Sequence, residues 1–368
     1  MVKIKNTSYQ PNYAVPPGDT LRETLDFLGM TQAELAERTG RPKKTINEII
    51  SGKAAITAET ALQFERVLGI PASFWSNLER NYQETLARLK DERQLRSQKE
   101  WLKKFPIATL MKLGWLPKEE SPVKKLKALL NFFGVAGVEE WVALWQSPQA
   151  AFRSSVSFQR NPYAVAAWLR QGEIEAQKTE CKPYNLSLFR KSLDNIRPLT
   201  IEPPEMFGQR MIRLCAEAGV VVVFVRELPG TRVYGATRWL TPVKALIQLS
   251  LRGKTDDHLW FTFFHEVGHI LLHGKRDVFI EANGEGCRET NSNDKECQAD
   301  QFAQDSLIPP DKCQSFKKAG QFTLTAIQQF AQELSIAPGI VVGRLQHDKV
   351  IRFTEGNNLK RRFRFSKN

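Results

Sequence analysis

Phe263-Phe264-His265-Glu266-Val267-Gly268-His269-Ile270-Leu271-Leu272 is the stretch from which the fold of this chain is read. An α-helix turns 100° per residue, so side chains four apart stand one above the other on one face. His265 and His269 are then a single turn apart, the bite that a tetrahedral zinc ion takes from two imidazoles. Glu266, beside the first of them, is placed to reach a water in the open fourth position rather than the metal. The apolar flanks Phe263, Phe264, Ile270, Leu271 and Leu272 suit a buried helix. The alternative, two ordinary core histidines, is disfavoured because burying two imidazoles around a carboxylate is costly without a partner.

A catalytic zinc site needs a third protein ligand. Downstream, Lys295-Glu296-Cys297-Gln298-Ala299-Asp300-Gln301-Phe302-Ala303 carries small and apolar residues at 299, 302, 303 and 307, which is helical spacing. Glu296 shares a side with Ala299, Ala303 and Leu307 and can meet the first helix as the third ligand. Asp300, one turn further on, can hold a ligand imidazole from behind. The alternative for both is a solvated helix carboxylate. His273 is not expected as a ligand, because it lies about 12 Å along the axis from His265. It is expected as a polar group near the helix C-terminus, where Gly274 follows.

His-Glu-x-x-His on a helix is the zincin signature. Joined to Glu296-x-x-Ala299-x-x-Phe302-Ala303, Pro309, and Ile336-Ala337-Pro338-Gly339-Ile340-Val341-Val342-Gly343-Arg344-Leu345-Gln346, it resembles the ImmA/IrrE family of metallopeptidases over roughly residues 195–368. The resemblance implies Zn2+ held by His265, His269 and Glu296, and hydrolysis of peptide bonds in regulatory proteins, with Glu266 as the general base. Peptidases of this kind can be latent until a signal or partner arrives. Met206 to Ala218 reads as an amphipathic helix, Val220–Val225 as a buried strand, and 234–240 and 244–251 as a hairpin leading into the metal helix. The strand 244–251 is the expected sheet edge for an extended substrate peptide. Tyr234 and Arg238 are candidates to stabilise an oxyanion.

The first ninety residues carry a second pattern. Pro16-Pro17-Gly18-Asp19 opens a helix with Leu21, Leu25 and Leu28 that ends at Gly29. Thr31-Gln32-Ala33-Glu34 is a capping box opening a short helix to about Arg38. Gly40 turns the chain, Pro42 suits the first position of the next helix, and that helix buries Ile46 and Ile49 before Gly52. Ala36 at the crossing, Gly40 in the turn and Ile46 as the plug mark a helix-turn-helix unit. Further helices start at Thr57 and near Ile70-Pro71-Ala72-Ser73-Phe74-Trp75. This order resembles the Cro/repressor-type helix-turn-helix and, more closely, the HigA-type antitoxins. The resemblance implies that the exposed face of the second helix, Lys43, Lys44, Thr45 and Asn47, reads bases in the major groove of an operator, with Gln32 as a phosphate contact.

Residues between these two patterns read as mostly helical, with Trp115, Trp141, Trp145 and Trp168 as a small core. The expected fold is mainly α with an α+β zincin domain: a five-helix helix-turn-helix module at 1–90, a helical connecting region at 91–195, and a metallopeptidase-like domain with a small sheet at 196–368. The net charge of +13 fits a polyanionic partner such as double-stranded DNA, and the tail Lys360-Arg361-Arg362-Phe363-Arg364 adds to it. The N-terminus has no basic-then-apolar signal and no apolar run of spanning length is expected, so the chain reads as cytoplasmic and free of membrane contact. Five Cys without C-x-x-C spacing argue against disulfides, and Cys297 reads as a buried thiol.

The resulting functional expectation is a DNA-binding transcriptional regulator carrying a zinc-dependent endopeptidase domain. Its partners would be an operator, a protein substrate or toxin or repressor partner, and a second copy in a homodimer. The competing expectation is a HigA-like antitoxin or autorepressor whose zincin domain is structural or sensory.

Overall fold

The computed structural model describes residues 13–146, 161–274, 279–281 and 294–365. They fall into two compact units, Met1–Glu100 with Ser121–Leu126, and Trp101–Glu120 with Lys127–Asn368.

The first unit is helical. Its helices α1 (Pro17–Leu28), α2 (Gln32–Thr39), α3 (Lys43–Ile50), α4 (Ala58–Leu68) and α5 (Ala72–Ser97) follow one another through short turns. Thr31 caps α2 reciprocally: its Oγ1 accepts from Glu34 N at 3.2 Å, and its own backbone N–H donates to Glu34 Oε2 at 2.7 Å. Such a box satisfies two backbone donors that the first turn would leave unpaired. Gly40 ends α2 at φ +67, a conformation that side chains with a Cβ resist. Pro42 is the residue before α3 rather than its first residue. Leu21, Leu35, Ile46, Phe64 and Trp75 are fully buried, and Trp75 meets Phe64 edge to face at 5.5 Å. Helix α1 crosses α3 so closely at Gly18 that a Cβ there would lie 2.3 Å from the Ile49 carbonyl oxygen, a contact only glycine permits.

In the second unit, α6 (Ile107–Lys112), part of α7 (Pro122–Phe133), and α8 (Val138–Trp141) precede α9 (Pro162–Gln177), α10 (Leu186–Ile196) and α11 (Pro204–Glu217). Trp141 is buried among Trp101, Phe105, Phe133 and Tyr163. Trp168 differs from the expectation of a shared tryptophan core. It turns to the sheet instead, and its indole N–H donates to Val225 O at 3.1 Å. The span Pro122–Trp145 has the length and apolar composition to cross a bilayer, which corrects the expectation that no run approaches that length. It is interrupted at Gly134 (φ +68), and Leu126, Leu129, Leu130 and Phe133 within it are buried in the protein.

The sheet has the order β1-β3-β2-β4, formed by β1 (Val220–Phe224), β2 (Gly235–Thr241), β3 (Lys244–Leu249) and β4 (Phe279–Glu281). β1 runs parallel to β3, while β2 runs antiparallel to both β3 and β4. The strand at 244–249 therefore lies inside the sheet. Both of its sides are hydrogen-bonded, and it cannot be the substrate-binding edge expected for it; among the described strands the edges are β1 and β4. Neither β4 nor the parallel partnership of β1 had a sequence signal, since pairing order is set by tertiary contacts.

Alternation along β2 assigns its two faces. Arg238 points toward α9, where it pairs with Glu173 at 2.6 Å and donates to Leu169 O at 2.8 Å. Thr237 points to the opposite face and donates to Glu266 O in α12 (Asp256–Leu272) at 3.2 Å. Helix α13 (Asp294–Leu307) crosses α12 where Gly268 faces Ala299, whose Cα would lie 3.0 Å from a Cβ on Gly268. After α14 (Pro310–Ala319) and α15 (Leu324–Glu333), α16 (Pro338–His347) lays Gly339 and Gly343 against Asp256 and Asp257 at the start of α12. The chain's basic end closes over the same two carboxylates. Lys360 pairs with Asp257 at 2.6 Å, and Arg361 N donates to Asp256 Oδ1 at 3.2 Å. Lys360 and Arg361 thus neutralise buried acids, so their charge is a fold contact rather than a supply for a polyanion.

Candidate metal centre and DNA interface

His265 and His269 lie on one face of α12 as the helical period requires, each about 2% exposed. Their Nε2 atoms face each other at 2.9 Å. The Gly268–Ala299 crossing brings the first turns of α13 over them, and Glu296 Oε2 lies 3.2 Å from His265 Nε2 and 3.5 Å from His269 Nε2. One ligand atom from each of His265, His269 and Glu296 falls within 4.8 Å of the others. Asp300 Oδ1 stands 2.8 Å from His265 Nδ1, on the far side of the ring.

The charge state of this cluster follows from burial and contact. Burial holds the His269 imidazole down to about 4, so it is neutral near pH 7. Burial works to raise the Glu296 carboxyl, but hydrogen bonds with His265 and His269 outweigh it and hold the group well below the usual carboxylate range. With Nδ1 turned to Asp300, His265 directs its Nε2 inward toward Glu296 and His269. Two imidazoles and one carboxylate with their donor atoms converging on one point are an ordinary zinc donor set. The residues present fit a metal ion.

Glu266 is fully buried beneath β2, and its Oε1 would lie 2.5 Å from a Cβ on Gly235. The missing side chain at Gly235 makes room for that carboxylate, and nothing in the sequence marks the position. Of the oxyanion candidates, Arg238 is on the other face of the sheet, paired with Glu173. Tyr234 stacks on His258, two turns before His265 along α12, with ring centroids 5.8 Å apart.

Two contacts around His269 were not foreseen. Phe279 of β4 stacks on its ring at 3.8 Å between centroids and 11° between planes. His273, at the C-terminal end of α12, turns Nδ1 to His269 Nδ1 at 3.0 Å and Nε2 to Gln298 Oε1 at 3.2 Å. The four-residue spacing from His269 was the available signal for the second contact. Cys181, Cys215 and Cys313 are free thiols. Cys297 is disulfide-bonded, which corrects the expectation of a free thiol there. Cys287 lies outside the described residues.

In the first unit, α3 exposes Lys43, Lys44 and Asn47 while Ile46, Ile49 and Ile50 are buried. Thr45 is half-buried between these faces, and Gln32 is half-buried at the first position of α2. Lys44 is 85% exposed and only loosely paired with Glu48 at 3.8 Å, so its ammonium is available to another anion.

Known proteins match at both ends of the chain. The model of the Helix-turn-helix family matches residues 21–75, and that of the IrrE N-terminal-like domain matches residues 215–346. The Uncharacterized HTH-type transcriptional regulator YddM of Escherichia coli (strain K12) is 35% identical over 63 residues, 17% of this chain and 67% of that protein. Virulence-associated protein I of Dichelobacter nodosus is 37% identical over 70 residues, 19% of this chain and 65% of that protein. The chain thus spans about two thirds of the length of these relatives. Among solved structures, an addiction module antidote protein of a HigA family from Coxiella burnetii is 32% identical, with a TM-score of 0.22 over 23% of this chain and 92% of that one. Pseudomonas aeruginosa antitoxin HigA, solved with higBA promoter, is 29% identical, with a TM-score of 0.22 over 22% of this chain and 90% of that one. On the family models and the identity to YddM, the chain belongs to the HTH-type transcriptional regulators and carries, besides the helix-turn-helix module, a stretch that matches the IrrE N-terminal-like domain.

Proposed function

We propose that this protein is an intracellular DNA-binding regulator whose C-terminal domain is a zinc-dependent endopeptidase acting on regulatory proteins of the repressor or antitoxin kind. The observation that carries the reading is the convergence of His265, His269 and Glu296 with Glu266 buried alongside. When bound, zinc supplies a Lewis acid for the scissile carbonyl. His265, His269 and Glu296 hold it, and Asp300 orients His265. Glu266 takes a proton from the attacking water and returns it to the leaving amine. Lys43, Lys44, Thr45 and Asn47 of α3 read an operator, Gln32 contacts its backbone, and a homodimer would match a two-fold site. The division into a reader at 1–90, a connecting region at 91–195 and a peptidase at 196–368 belongs to the same proposal.

The likeness of the first unit to antitoxins supports a second reading, an autorepressor whose metal domain is structural or sensory. One experiment separates the two. Metal is quantified in the purified full chain, which is then incubated with the proteins encoded beside it, wild type against Glu266→Gln. The endopeptidase reading expects about one zinc per chain in both proteins, and cleavage by the wild type falling about 100-fold or more in the variant. Cleavage that survives in the variant removes Glu266 as the base, and zinc without cleavage in either protein leaves the second reading.

A further inference from the structure

A cleft of about 340 Å³ opens in the second unit between α10, α12 and α13. Its floor is Phe264 and Leu271, on a different flank of α12 from His265 and His269, with Phe302 of α13 beside them. Leu193 of α10 adds to the apolar wall. Phe264 is 1% exposed, whereas Leu193, Leu271 and Phe302 are only half-buried. Apolar surface here lines a concavity instead of a close-packed seam. The polar part of the lining is Arg197, the residue that follows α10. Its Nε and Nη2 both donate to the Leu307 carbonyl oxygen, at 3.1 and 2.9 Å. That acceptor is neutral, and among the described residues no carboxylate pairs with Arg197. Burial pulls its pKa below the ordinary guanidinium value, the mark of a half-buried cation short of a counter-charge. Arg190 and Asp194 line the cleft one and two turns earlier, and both are exposed. Solvent screens their fields, so Asp194 does not supply the missing charge.

We propose that this cleft binds an amphipathic monocarboxylic acid, its carboxylate on Arg197 and its acyl or aryl body over Leu271 and Phe302. A guanidinium offers five N–H groups in a planar fork, and a carboxylate is the acceptor that matches it. The aromatic and aliphatic floor covers the rest of the molecule, which gains by leaving water. An inorganic anion would leave that floor wet, and a neutral apolar compound would leave Arg197 without its counter-charge. A cleft of this volume takes one small molecule, whereas a peptide helix about 10 Å across does not fit. The site is separate from the metal chemistry proposed above and does not depend on it.

Isothermal titration calorimetry on the full-length protein tests the site. Decanoate supplies an acyl body and phenylbutyrate an aryl body, their amides remove the charge, and acetate removes the body. Binding of at least one of the two acids at a single site per chain is expected, and the acid that binds more tightly identifies the body. Its amide should bind about tenfold more weakly or worse, the worth of one charged hydrogen bond, and acetate should give no heat. In the protein, Arg197→Met removes the guanidinium and should weaken the acid by a similar factor. Ser306→Trp, at a half-buried position in the lining, fills the space while Arg197 is retained, and should abolish binding of both acids. Circular dichroism checks the fold of each variant, and the acid–amide comparison needs only the wild type, so a misfolded variant leaves the test standing. Equal affinity for acid and amide, binding that survives both substitutions, or no binding of either acid at about 1 mM overturns the site.

Discussion

The proposed DNA-reading helix α3 and the proposed metal cluster are assembled over very different ranges of the chain. Lys43, Lys44 and Asn47 share one eight-residue helix, positioned by a cap at Thr31, a turn at Gly40 and an aliphatic plug at Ile46. Every one of these signals lies within a few residues of the side chains it places. His265, His269 and Glu296 come from two helices that cross where Gly268 faces Ala299, and the ring of His269 is further packed by a strand, β4. The first device is local and the second depends on long-range packing. Damage to one should therefore leave the chemistry of the other intact.

The largest effect is expected from replacing both histidines. His265→Ala with His269→Ala should abolish bound zinc, measured by elemental analysis, while operator affinity in a gel-shift titration stays at wild type. A parallel loss of DNA binding would show that the two regions are not independent. Next in size is the triple substitution of Lys43, Lys44 and Asn47 by Ala. At about 1–3 kcal/mol for each base contact, it should weaken operator binding by about 100-fold or more without changing zinc content. Unchanged affinity would move the reading face elsewhere on the first unit. The smallest effect tests how local the first device is. Thr31→Ala removes a reciprocal cap and should destabilise the first unit by about 1 kcal/mol in denaturant unfolding, with the zinc site unaltered.

Legibility in the sequence divides along the same line. The caps and stops of α1 to α4 are visible as Pro17, Thr31, Gly40 and Thr57, because each acts on the backbone within one turn. His265 and His269 are visible as a pair for the same reason, since helical geometry alone stacks them. The position of β3 inside the sheet is different. Val220–Phe224 and Phe279–Glu281 reach the hairpin from opposite sides of the metal helix in sequence, and no local pattern reports either pairing.

By itself the sequence determined which segments are helices, where they cap and turn, and which side chains share a helical face. Those features come from dihedral preferences and periodicity, which act over three or four residues. Only the tertiary structure decided that Glu296 meets the histidine pair, that Gly235 gives Glu266 its space, that Arg238 turns away to Glu173, and that Lys360 and Arg361 close on Asp257 and Asp256. Each of these depends on close packing between residues distant in the chain. That packing is settled by the volume and charge of every neighbour at once, and a helical or strand period carries no record of it.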